Sequence, residues 1–264
     1  MTGQRFLSKK RILLTGAAGG IGSAFFRSAA GQYTFRLADV NTTSIGEIAS
    51  GEHEVVALDV ANLEACQHAC RNIDVVIHLA ANANPDADFN HSLLHHNIQG
   101  TYNIFRAAKD QACQRVIFAS SAQVFAGYPI DVQAHPESPL RPMNMYGVCK
   151  CFGEAVASYF AHAEGLSSIV IRIGSYDVNR DDANWLRRDP NARHLSGYVS
   201  ERDLNHLLVR CIEAPHLHFA VVHGISNNRF KRLDITSTRT LVEYTPQDDA
   251  FEIFHADLQT WLQG

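Results

Sequence analysis

Arg11-Ile12-Leu13-Leu14-Thr15-Gly16-Ala17-Ala18-Gly19-Gly20-Ile21-Gly22 is the stretch that decides the fold. Its first five residues form an apolar run of strand length. Gly16, Gly19 and Gly22 follow at once in the pattern Gly-x-x-Gly-x-x-Gly, and a helical pattern continues through Ala24–Ala30. Glycines let a strand turn tightly into a helix and bring the backbone close to a pyrophosphate, while the helix N-terminus supplies N–H donors and partial positive charge. The triplet alone is a weak signal. Its place between strand and helix gives it weight.

Outward from this turn, strands and helices alternate. Thr34–Ala38 is predicted as the second strand, ending at Asp39, and Glu54–Leu58 as the third, ending at Asp59-Val60. Leu63–Cys70 has helical spacing, and Val75–Leu79 is a nearly continuous apolar run, as expected of a strand buried on both faces. A helix over roughly Ser92–Ala108 leads to the strand Arg115–Ala119. Pro129, Pro136, Pro139 and Pro142 mark a loop, a long helix runs from Tyr146 to about His162, and Ser168–Ile173 is another buried strand. This alternation predicts an α/β fold of the Rossmann type, a doubly wound parallel sheet. After Ser175 the pattern loosens: Tyr176–Arg193 reads as a loop, Ser200–Cys211 as an amphipathic helix, Ala220–His223 as a short strand, Leu241–Tyr244 as a terminal strand and Ala250–Leu262 as a helix. The expected organisation is a single domain over 1–264. Residues 11–175 form its dinucleotide-binding body, and 176–264 form mainly a small, discontinuous substrate cap with parts returning to the body.

Composition narrows the function classes. Apolar residues make up 46% of 264 and charged residues 19%, the balance of a globular protein rather than a disordered or collagen-like chain. With 23 Lys+Arg against 27 Asp+Glu the net charge is −4, so no broad basic field exists to attract nucleic acid or anionic lipid. No apolar run approaches the ~18–20 residues that span a bilayer. Met1 to Arg11 is polar and basic, unlike a secretory leader. Six cysteines set in apolar or helical patterns fit packed small hydrophobes in a reducing, cytoplasmic compartment. Fourteen histidines raise the question of a metal. His91, His95 and His96 cluster and His216 alternates with His218, but no three-ligand zinc spacing is present, so no metal site is expected.

Asp39, at the end of the second strand, can accept two hydrogen bonds from an adenosine ribose and would repel a 2′-phosphate. Val40, Asn41 and Thr42 follow it without a cation, which favours NAD over NADP. Asp59 suits either an adenine amino group or the cap of its own turn. Tyr146 and Lys150, four apart on a helix, share one face, and an ammonium beside a phenol favours the phenolate a general base needs. Ser120-Ser121 closes the Arg115–Ala119 strand and places hydroxyls at the sheet's C-terminal edge.

The glycine turn, Asp39, Ser121, Tyr146 and Lys150, in this order, resemble the extended short-chain dehydrogenase/reductase superfamily. His78-Leu79-Ala80-Ala81, Asn97, Ser120-Ser121-Ala122 and Arg172-Ile173-Gly174 fit the same branch, over residues 11 to about 224. Within it, Tyr146-Gly147-Val148-Cys149-Lys150-Cys151-Phe152-Gly153-Glu154, Val170–Ser175 and Val221–Asn227 are most similar to the uronate dehydrogenases. The short stretch after Ser175 also fits, being thin for enclosing a whole sugar nucleotide.

That resemblance implies oxidation of a ring-form sugar acid, such as glucuronate or galacturonate, or of a related acidic aldose, at C1 to the lactone, with NAD as cofactor. Tyr146 would be the general base, Lys150 would hold the nicotinamide ribose and lower the Tyr146 pKa, and Ser121 would orient the reacting oxygen. Gly16, Gly19, Gly20, Ile21, Gly22, Asp39, Asp59, Val60, Leu79, Ala80, Ala81, Asn97, Ile173 and Tyr176, with Tyr146 and Lys150, would contact the cofactor. Ala83, Ser121, Ala122, Gln123, Ser175 and Arg193 would face the sugar, Arg193 clamping its carboxylate. Pairing through long helices would make a homo-oligomer. Three substrate-side departures leave the sugar open: Ala122-Gln123 stands where the family usually has Asn-His, the Asn82–Asp88 loop is more polar, and Tyr176–Arg193 is longer and carries Trp185, Arg187 and Arg188. A phosphorylated or sulfonated aldose would use additional arginines, although Arg187 and Arg188 read equally well as solvated charges. Two rival readings are a sugar-nucleotide epimerase or dehydratase that retains NAD, and an NAD-sensing regulator without turnover.

Overall fold

The computed structural model describes residues 9–176, 192–215, 217–255 and 258–259. Seven parallel strands form one sheet in the order β3-β2-β1-β4-β5-β6-β9. They are β1 (Arg11–Thr15), β2 (Thr34–Asp39), β3 (Glu54–Ala57), β4 (Val75–His78), β5 (Arg115–Ser121), β6 (Ser167–Ile173) and β9 (Phe219–Gly224). A second, two-stranded parallel sheet pairs β7 (Ser175–Tyr176) with β8 (Tyr198–Val199). The helices are α1 (Gly20–Ala29), α2 (Thr43–Ile48), α3 (Leu63–Ala69), α4 (Gly100–Asp110), α5 (Met145–His162), α6 (Ala192–Ser196), α7 (Glu201–Glu213), α8 (Thr236–Val242) and α9 (Ala250–Ile253). A π-helix, Phe89–Gln99, runs into α4, and a 3₁₀ turn, Ala122–Phe125, follows β5.

The pleat explains why the strands read as continuous apolar runs. Along β1, Ile12 and Leu14 pack into the core on one face, with α1 and α7, while Leu13 packs into the core on the other, with α3, α4 and α5. Strand β6 divides in the same way, with Ile169, Ile171 and Ile173 on one side and Val170 on the other. The chain reverses its direction of travel across the sheet between β1 and β4, the crevice where doubly wound sheets bind ligands.

Several expected boundaries differ. Leu241–Tyr244 is not a strand: α8 covers its start, because the Asp234 carboxylate accepts from Thr236 N at 3.0 Å and Thr238 and Val242, one turn apart, are both buried. Glu243, at φ 53°, then ends the helix, and the Tyr244 hydroxyl donates to Ile225 O at 3.0 Å. The helix expected over Ser92–Ala108 starts earlier, where Asp88 caps His91 N at 2.7 Å, and its first part is the π-helix. Helix α2 and the β7–β8 pair have too few residues to show a period. Trp185, Arg187, Arg188, His216 and the end of the Ala250–Leu262 helix lie outside the described residues.

All six cysteines are free, and five are buried. Burial pushes the Cys66 and Cys211 thiols up to about 12, which makes them inert packing groups at neutral pH.

Candidate active site

The glycine turn is held by backbone demands. Gly16 sits at φ +71°, and a Cβ there would stand 2.7 Å from Ala80 N, so β1 and β4 end in close contact. Beneath the turn, Thr15 Oγ1 meets His78 Nδ1 at 2.8 Å and accepts from Ala80 N at 3.2 Å, tying the two strand ends together. The first turn of α1 carries no side-chain cap and no acidic residue. Its amides therefore face the adjoining cavity ready for an anion.

That cavity, of about 580 Å³, is lined by Gly16, Gly19, Gly20, Ile21, Gly22, Asp39, Val60, Leu79, Ala80, Ala81 and Tyr176 among the expected cofactor contacts. Asp39 Oδ2 accepts from Ala18 N at 3.0 Å, which fixes the carboxylate beside the turn. The cradle therefore matches a dinucleotide: uncapped helix amides for the pyrophosphate, and a carboxylate at the β2 end for the ribose diol.

Other expected contacts are placed elsewhere. Asp59 Oδ1 accepts from Ala61 N at 2.9 Å and caps its own turn, outside the lining. Asn97 is buried and closes both ways on Asn82, accepting from its N at 2.8 Å and donating to its O at 2.9 Å. It shapes the loop whose residue Asn82 lines the cavity. Ile173 belongs to the core.

Tyr146 and Lys150 stand at the start of α5, which Asn144 caps by accepting from Gly147 N at 2.7 Å. Asn144 also donates to Gln123 Oε1 at 3.1 Å, joining the cap to the segment after β5. Farther along, a Cβ on Gly153 would overlap the Phe118 ring, so this glycine lets α5 lie directly on β5. The result sets Tyr146 near Ser121, whose side chain favours the ionised phenol. Both α5 groups are nearly enclosed, Tyr146 at 8% and Lys150 at 5% exposure.

Their electrostatics correct one expectation. Burial raises the Tyr146 pKa above its ordinary value, and the Ser121 side chain opposes this without reversing it. Lys150 donates to Ala119 O at 2.7 Å and lies 5.5 Å from the Tyr146 ring centroid. Its own pKa is pushed down to about 8 by burial. The same desolvation penalises phenolate and ammonium alike, so Lys150 does not bring Tyr146 below its ordinary value here.

A second cavity, of about 360 Å³, is lined by Ala83, Ser121, Ala122, Gln123, Ser175 and Arg193, all six expected sugar contacts. Ala83 and Tyr176 line both cavities, so the two adjoin.

Comparison with known proteins agrees with this geometry. Residues 12–176 match the NAD dependent epimerase/dehydratase family. The chain belongs to that family. It is 32% identical to an NAD-dependent glucose-6-phosphate dehydrogenase of Haloferax volcanii, over 91% of this chain and 94% of that one. It is 33% identical to a uronate dehydrogenase of Pseudomonas syringae pv. tomato, over 93% and 84%. The crystal structure of uronate dehydrogenase from Agrobacterium tumefaciens is similar with a TM-score of 0.84 and 31% identity, covering 96% of this chain and 89% of that one.

For this family member, sequence reasoning missed Thr15, Val40, Ser92 and His96 in the first cavity and His194, Gly197, Arg232 and Leu233 in the second. Val40 follows Asp39 directly, so its position was readable from the same strand end. Arg232 carries no sequence signal, because long-range contacts such as the Ala134–Leu233 bridge, not local spacing, return its segment to the site.

Proposed function

We propose that this protein is an NAD-dependent dehydrogenase that oxidises an acidic aldose at its anomeric carbon to the lactone. The carrying observation is the adjoining pair of cavities: one is a dinucleotide cradle, and the other holds Ser121 with a cation on its wall. Bound NAD supplies the hydride acceptor. Tyr146 Oη, in its phenolate form, takes the proton of the C1 hydroxyl, and Ser121 Oγ hydrogen-bonds the same oxygen as charge develops. Lys150 keeps a positive charge beside the phenol, and Asp39 selects the unphosphorylated ribose. Arg193 meets the acidic substituent in a charge-assisted pair.

We read residues 11–175 as the cofactor body and 176–264 mainly as the sugar side; α6 and the Arg232 region supply much of the second cavity's wall, in support of that division. Exposed Tyr102 on α4 and exposed Val148 and Tyr159 on α5 support pairing through these helices into a homo-oligomer. The free thiols support a cytoplasmic place.

The test is isotopic. With an acidic aldose deuterated at C1, the label moves into NADH and the sugar leaves as the lactone. Label retained at C1, or lost from the sugar without NADH formation, contradicts oxidation at that carbon.

A further inference from the structure

Arg193 and Arg232 place two guanidinium groups on the wall of one cavity. Arg193 donates to Ala126 O at 3.1 Å. Arg232 donates to Tyr128 O at 3.1 Å, Pro129 O at 3.3 Å and Phe125 O at 3.4 Å. Both are thus moored to the same backbone stretch, 125–129, just beyond Ser121. Among the described residues, the hydrogen-bond partners of both are neutral carbonyls, and no Asp or Glu lines the cavity.

A purely structural arginine looks different. Arg115 also gathers backbone carbonyls, from Cys211, Ile212 and Ala214, but lines neither cavity. Arg232 is 7% exposed yet reaches the cavity surface, and the Arg193 charge adds to burial in lowering its pKa. Arg232 is buried and Arg193 exposed, and two like charges facing one cavity call for opposite charge from whatever fills the space.

A uronate brings one negative charge on two oxygens. A phosphate monoester brings close to two at neutral pH on three oxygens, enough to engage both guanidinium forks. We propose that the acidic group of the substrate is a phosphate ester on the aldose, gripped between Arg193 and Arg232. This rests on the dehydrogenase reading above and narrows its substrate class.

The test compares kcat/KM for matched gluco- and galacto-configured uronates, 6-phosphates and 6-sulfonates, in the wild type, Arg232→Gln and Arg193→Gln. Calorimetric titration of the hexose 6-phosphates into each protein runs in parallel and needs no turnover. The expected result is a 6-phosphate preference of at least about tenfold over both the uronate and the sulfonate, and a phosphate-to-uronate ratio that drops at least about tenfold in each variant, the scale of a lost charge-assisted contact. Arg193 is exposed, so its variant keeps the test valid if Arg232→Gln folds poorly. Preference for the uronate or sulfonate, or an unchanged ratio in Arg193→Gln, overturns the phosphate assignment and leaves the dehydrogenase reading standing. No NADH from any sugar, with 6-phosphate binding that the variants lose, sinks the dehydrogenase reading and keeps the anion site. Failure of the wild type to bind either 6-phosphate overturns the proposal.

Discussion

Tyr146 shows how a single residue is set against its own ionisation. Burial holds its proton on, the Ser121 side chain eases it off, and a phenolate formed in this enclosure is a strong base for a sugar hydroxyl. Tyr146→Phe keeps the ring packed against Leu93 and Cys149 and removes only the proton acceptor. The expected result is a fall in kcat of about 10²-fold or more, with NAD affinity unchanged because Tyr146 is outside the first cavity's lining. Steady-state turnover and a fluorescence titration of NAD check both halves, and near-wild-type kcat would remove Tyr146 from the chemistry. The placement of Ser121 at a strand end and of Tyr146 and Lys150 on one helix was legible from spacing. The direction of the Tyr146 pKa was not, because it depends on how completely α5 closes over the ring.

Between elements, the decisive contact is a buried ion pair that the mechanism does not touch. Glu154, one turn beyond Lys150 on α5, accepts from Arg172 of β6 through both oxygens, at 2.9 and 2.7 Å, and from Ser120 Oγ of β5 at 2.6 Å. Arg172 also donates to Pro136 O at 2.8 Å in the proline-rich loop. One carboxylate thus locks α5, β5 and β6 in the register that brings Tyr146 to Ser121. Glu154→Ala strands the Arg172 charge in the interior and should destabilise the fold by about 3–5 kcal/mol. Denaturant unfolding measures this, and a loss below about 1 kcal/mol would mean that the pair is incidental. The strands of this core were readable as apolar runs. The Leu241–Tyr244 stretch was not, since a short apolar segment near a proline fits strand or helix until the Asp234–Thr236 hydrogen bond and the Thr238–Val242 face are seen.

Across the whole molecule, the glycine turn and strand alternation made the doubly wound sheet legible, and the second cavity collected every residue expected to face the sugar. Arg232 escaped because long-range chain return, not local spacing, brings it there. The same enclosure gives the molecule an acid limit. Burial pushes His78 down to about 3, with the Lys150 charge adding to it, and His223 down to about 4, with Arg172 adding. In the unfolded chain both histidines take up protons near pH 6.5, so between that pH and their folded values the unfolded state binds more protons and stability rises with pH. Stability is therefore fully present above about pH 6.5 and drains on acidification, by up to about 1.4 kcal/mol per pH unit for each group. Urea unfolding at pH 7.5 and 5.0 should show this fall, with a shallower slope in His78→Asn/His223→Asn. An equal slope would place the acid sensitivity elsewhere.

Net oxidation shows directly in absorbance at the NADH band with purified protein, excess NAD and excess acidic aldose. NADH should accumulate through many turnovers per chain, in step with lactone. NADH capped at one per chain, or an altered sugar with no NADH at all, would contradict net oxidation and point to a cofactor that is reduced and reoxidised within each cycle.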